Sequence, residues 1–165
     1  MKKIGIMAAI IIINFIFQTS LYNYVNIFGV IPNISLILVV IFAMMTNSIV
    51  GGFLGILTGV LYDIMLQDIF GVYTLIFFII GCIIGSFSED VYRDNYMLYG
   101  LISLLSTIFM HFSLFVILFF LKYRVSNAYY ILESIILEIV LNTVISIVIL
   151  KFVVYIFNKF NLKWF

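Results

Sequence analysis

The sequence predicts an all-α integral membrane protein of about six transmembrane helices, and three observations predict it. Hydrophobic residues make up 66% of the 165 and charged ones only 9%, whereas soluble globular domains carry about 45–50% and about 25%. Apolar runs close to the roughly 20 residues that a spanning helix needs follow one another along the whole chain. The connections between them are short, so no sizeable water-soluble domain hangs on either face. A surface in water cannot hold this much Ile, Leu, Val and Phe, but a bilayer accepts it. Residues 1–165 therefore read as a single polytopic membrane domain.

The first span covers residues 4–22. Met1-Lys2-Lys3 before an apolar run resembles a secretory signal, but Phe17-Gln18-Thr19-Ser20-Leu21-Tyr22 follows where a small-residue cleavage site would stand, so the helix is expected to stay uncleaved. A polar connection with Asn23, Asn26 and Gly29 leads to Pro32-Asn33, and Pro suits a helix start, where its missing donor costs nothing. The second span is 34–45 and the third 48–66. Only Thr46-Asn47-Ser48 separates them. Joined, they would make about 50 Å of helix at about 1.5 Å per residue, far beyond a hydrocarbon core of about 30 Å. Two helices are expected instead. The fourth, fifth and sixth spans are 72–87, 97–121 and 134–157.

Six spans place both termini on one side. That side collects Lys2, Lys3, Arg93, Lys151, Lys159 and Lys163, and the other only Lys122 and Arg124. Basic residues favour the cytoplasmic side and acidic ones count little, so Glu89, Asp90 and Asp94 do not reverse the sign. The expectation is a protein of the cytoplasmic membrane with both termini in the cytoplasm. Tyr22, Tyr24, Tyr123, Tyr129, Tyr155 and Trp164 fall near the expected interfaces with lipid headgroups. With a net charge of +1 and thinly spread basic residues, the chain has no patch to follow a phosphate backbone, which argues against nucleic acid as a partner. Cys82 is the one cysteine, so no intramolecular disulfide forms, and it reads as a small packing residue.

Polar and small residues report which helix faces meet. In the third span Gly51, Gly55 and Gly59 recur every four residues and Asp63 continues the series. Residues four apart share a helix face, and small ones let a second helix approach closely. Gly81 and Gly85 repeat the device in the fourth span, followed by Glu89. Asp63 and Glu138 are expected towards the outer leaflet, either solvated at the interface or paired with Lys122, Arg124 or a partner protein. Glu138 also heads a polar stripe with Asn142 and Ser146. His111 lies mid-span with Ser103 and Thr107 on its face and reads as a hydrogen-bonded packing histidine, because a proton relay needs titratable neighbours and the sequence displays none. His111, Glu138 and Asn142 are the candidate intramembrane polar contacts. Asn14 and Gln18 are expected to hydrogen-bond between helices. There is no His/Cys/Asp set with metal spacing, no phosphate loop, and no serine nucleophile beside a base, so neither an enzyme nor a cofactor is expected.

The run Pro32-Asn33-Ile34-Ser35-Leu36, then Gly51, Gly55, Gly59 and Asp63, then Gly71-Val72-Tyr73-Thr74-Leu75 with Gly81 and Gly85, resembles the rod shape-determining MreD family of bacteria. These motifs cover residues 29–87, about a third of the chain, and the remainder is similar in hydropathy and length. Ser35-Leu36 departs from the other apolar residues that many members carry there. The resemblance implies a non-catalytic scaffold of the machinery that builds the lateral peptidoglycan wall. It implies binding of an MreC-like bitopic membrane protein, in a complex linked to MreB filaments and to RodA with its transpeptidase. On that reading Pro32, Asn33, Gly51, Gly55, Gly59, Asp63, Gly71, Gly81 and Gly85 serve helix packing or the partner interface. The fold is also expected to be similar to the substrate-binding subunits of energy-coupling-factor vitamin transporters. That likeness supplies the alternative function, a vitamin-binding subunit, with Asn23, Asn26, Asp63, Glu138 and Asn142 as the main pocket groups.

Overall fold

The computed structural model describes residues 2–21, 30–66, 69–88, 95–122 and 128–159. Tyr22, Asn23, Tyr24, Asn26, Gly29, Glu89, Asp90, Arg93, Asp94, Tyr123, Arg124, Lys163 and Trp164 lie outside the described residues, as does the side chain of Tyr129. Among the described residues there are no strands and six helices: α1 (Lys2–Leu21), α2 (Ile34–Met44), α3 (Ser48–Leu66), α4 (Val72–Ser86), α5 (Tyr96–Phe120) and α6 (Ala128–Lys159). Five of them begin and end close to the expected spans. The sixth starts earlier than residue 134, because Ala128 to Leu132 continue the helical run without a Gly or Pro to stop it.

Four helices, α1, α3, α5 and α6, are long and apolar enough to cross a membrane. The other two are shorter than a full crossing. With 11 and 15 residues, α2 and α4 reach about 16 and about 22 Å at about 1.5 Å per residue. The reason lies at their N-termini, where Pro32-Asn33 and Gly71 stand directly before the first helical turn.

Every side chain from Ser35 to Met44 on α2 is buried, and the helix packs against all five others. Its sequence is apolar around the whole circumference, the pattern of a helix with no outward face. Around it α1 lies beside α3, α3 beside α4, α4 beside α5, and α5 beside α6. The outside of this arc is apolar too, with Ile16, Phe53, Phe112, Phe115, Val144 and Val148 exposed. Lipid is the solvent for such a surface.

The tightest seam joins α3 to α4, running antiparallel. A methyl group added at Gly51 would strike the carbonyl oxygen of Gly81, one at Gly55 the carbonyl oxygen of Phe77, and one at Gly59 the Cα of Thr74. Gly81 and Gly85 return the contact against the backbones of Gly51 and Asn47. The glycine face of the third helix thus finds its partner inside the chain. Cys82 packs in the same seam, its Sγ over Gly52.

Candidate functional site

The N-terminus of α4 has a cap supplied by another helix. The first N–H groups of a helix lack intrahelical acceptors, and a Ser, Thr, Asp or Asn at the cap position commonly satisfies one. Here that position is Gly71, with φ 101°, a left-handed turn that a residue with a Cβ rarely adopts. Asp63 at the end of α3 provides the missing acceptor. Its Oδ2 accepts from Gly71 N at 2.9 Å, Thr74 N at 3.0 Å and Thr74 Oγ1 at 2.5 Å. Its Oδ1 accepts from Tyr73 N at 3.0 Å. A carboxylate there also meets the positive end of the helix dipole.

This geometry corrects two expectations. Asp63 is 3% exposed, so it is not solvated at an interface, and among the described residues it has no cationic partner, neither Lys122 nor any other. Arg124 lies outside the described residues. Gly71, expected with the packing glycines, has open space where a Cβ would be. Its requirement is backbone conformation.

A second polar assembly starts α2 in the middle of the bundle. Asn33 N donates to Asn142 Oδ1 at 2.8 Å, and Asn142 Nδ2 donates to Thr107 Oγ1 at 3.1 Å. Thr107 stands midway along α5, so α2 begins near the midplane of the helices around it. Asn33 Oδ1 accepts from Leu36 N at 3.0 Å, capping the helix, and from Tyr62 OH at 3.1 Å. Gln18 Nε2 donates to Tyr62 OH at 2.8 Å, Ser35 Oγ to Gln18 Oε1 at 3.0 Å, and Asn14 Nδ2 to Ser35 Oγ at 2.9 Å. Five helices meet in this network. Non-helical backbone at membrane depth needs such internal partners, since lipid offers none. Asn14 and Gln18 bridge helices as expected, whereas Tyr62, the link between the two ends of the network, carried no signal in a sequence with 11 tyrosines.

The third pair is His111 and Glu138, with Nε2 and Oε2 3.0 Å apart. It continues a register: α5 and α6 run antiparallel, so moving four residues along each from Thr107 and Asn142 brings these two face to face. His111 thus has the titratable neighbour that the sequence did not reveal, and Glu138 meets this histidine rather than Lys122, the correction for that residue. Gln18, Asn33, Tyr62, Tyr73, His111, Ser134 and Glu138 supply the polar lining of a cavity of about 280 Å³ above the start of α2. Among the described residues no group of three or more His, Cys, Asp or Glu could hold a metal ion.

No curated protein and no solved structure matches the chain. The family model described as rod shape-determining protein MreD matches residues 1–157, from the first helix nearly to the end of the sixth. With its apolar helices packed around a buried central one, the chain is a membrane protein that belongs to the MreD family of rod shape-determining proteins.

Proposed function

We propose that the chain is a non-catalytic scaffold of the cell-elongation machinery in the cytoplasmic membrane. In this reading it binds an MreC-like bitopic membrane protein and, through that complex, RodA with its transpeptidase and the MreB filaments. The observation that carries the reading is the family match over residues 1–157. The use of the polar side chains supports it. Asp63, Asn33 and Asn142 are engaged with helix N-termini and backbone groups, which builds a rigid body. A scaffold needs such a body, because a surface that must hold partners in register cannot rearrange freely.

Lys2, Lys3, Lys151 and Lys159 lie towards one end of the bundle and Lys122 at the other, which favours cytoplasmic termini. A fluorescent-protein fusion at the C-terminus should fluoresce, and a phosphatase fusion there should be inactive.

Depletion followed by microscopy tests the function. Rounding and lysis, with an MreC-like protein recovered on the tagged chain from membranes, support the scaffold. Normal rods with a new vitamin requirement would support the transporter subunit instead.

A further inference from the structure

Beyond the scaffold role, and independent of it, the cavity above α2 has the features of a ligand site. At about 280 Å³ it lies at the small end of ligand pockets. Its floor is Asn33 and Tyr62, and its charged wall is the His111–Glu138 pair. Those two side chains are only 19% and 16% exposed, and among the described residues each makes its one polar contact with the other. Both residues line the cavity. Glu138 is the one acidic residue on the lining, and among the described residues no Lys or Arg lines the space. An ionisable group within a spanning helix is costly without a partner and marks a site.

The remaining walls select among cations. The rings of Tyr62 and Tyr73 stand 5.4 Å apart, tilted by 48°, and Met65 and Met110 lie beside them. Aromatic faces attract an ammonium group, and thioethers adapt to an apolar body. A bare metal ion would want more oxygen ligands than one carboxylate offers. We infer that the cavity binds a small organic cation, a primary amine whose ammonium group sits on Glu138 and whose apolar part lies against Tyr62, Tyr73 and the methionines. Two sources carry this chemistry, a free amine and the ethanolamine headgroup of a lipid.

The test uses the full chain in nanodiscs of phosphatidylglycerol, which has no amine, and follows thermal unfolding during titration with phenethylamine, 2-phenylethanol or sodium chloride. The expected result is a saturable rise of the midpoint with the amine alone, and a requirement for at least about tenfold more amine in Glu138→Gln, the equivalent of about 1.4 kcal/mol. Nanodiscs containing phosphatidylethanolamine separate the sources. A higher midpoint there, with no further response to phenethylamine, identifies the headgroup, and an unchanged titration identifies a free amine. The inference is overturned if the alcohol or sodium acts as well as the amine, if neither lipid composition gives a response, or if Glu138→Gln responds as the unchanged chain does. Where Glu138→Gln does not fold, the comparison of amine with alcohol on the unchanged chain decides.

Discussion

One carboxylate oxygen of Asp63 holds Thr74 twice, through the backbone N–H at 3.0 Å and the hydroxyl at 2.5 Å. The two residues sit on either side of the turn between α3 and α4, just beyond the last glycine of the seam. The carboxylate therefore sets where α4 starts, and the glycines set how closely it then follows α3.

Asp63→Ala leaves three part-buried N–H groups at the start of α4, those of Gly71, Tyr73 and Thr74, without an acceptor. Hydrogen bonds to a charged group contribute about 1.5–3 kcal/mol each, less whatever solvent or relaxation recovers, so a loss of about 3 kcal/mol is expected. Asp63→Asn keeps the shape and one acceptor oxygen but turns the other towards an N–H as a donor, and should lose about half as much. Unfolding of the purified proteins by titration with a denaturing detergent reads both values and their order.

Asn142→Ala removes the acceptor for Asn33 N–H and the donor to Thr107. Interhelical hydrogen bonds in membranes average about 0.6 kcal/mol, but a buried N–H left bare costs about 1–3 kcal/mol. The expected loss is about 2 kcal/mol, against under about 1 kcal/mol for Ser35→Ala, whose neighbours keep each other. Combining Asn142→Ala with Asn33→Ala should cost less than the sum, because the pair shares one end of the network. The same unfolding titration measures all four proteins.

His111 and Glu138 should be energetically coupled. A double-mutant cycle with His111→Ala and Glu138→Ala is expected to give an interaction energy of about 1 kcal/mol in unfolding. A cycle that closes to zero would mean the two side chains do not touch in the membrane.

The helices were legible because runs of Ile, Leu, Val and Phe broken by Thr46-Asn47 or by Gly71 leave few alternatives. The glycine face of α3 was legible from its period, and so was the matching pair on α4. Their mutual contact was not, since small residues announce a close approach without naming what approaches. Asp63 was visible as an intramembrane acid, but its role depends on Gly71, eight residues on, having a left-handed φ and no side chain to cap α4. Sequence spacing cannot report a turn that folds back. The His111–Glu138 contact was hidden for a related reason: 27 residues separate them, and only the antiparallel register of α5 and α6 brings them level. The burial of α2 on all sides could be suspected from its composition, yet the depth of its first turn is fixed by Asn142 and Tyr62, which lie on other helices.

The α3–α4 seam and the shape of the cell can be tied together directly. Gly55 would drive any side chain into the carbonyl of Phe77, whereas nothing lies within 4 Å of a Cβ at Gly5. Cells that rely on a Gly55→Leu chain should become round, with the protein reduced and its partners no longer recovered, while cells that rely on Gly5→Leu remain rods. Rod-shaped Gly55→Leu cells with normal amounts of the protein would contradict the claim that this seam holds together the body on which rod shape depends.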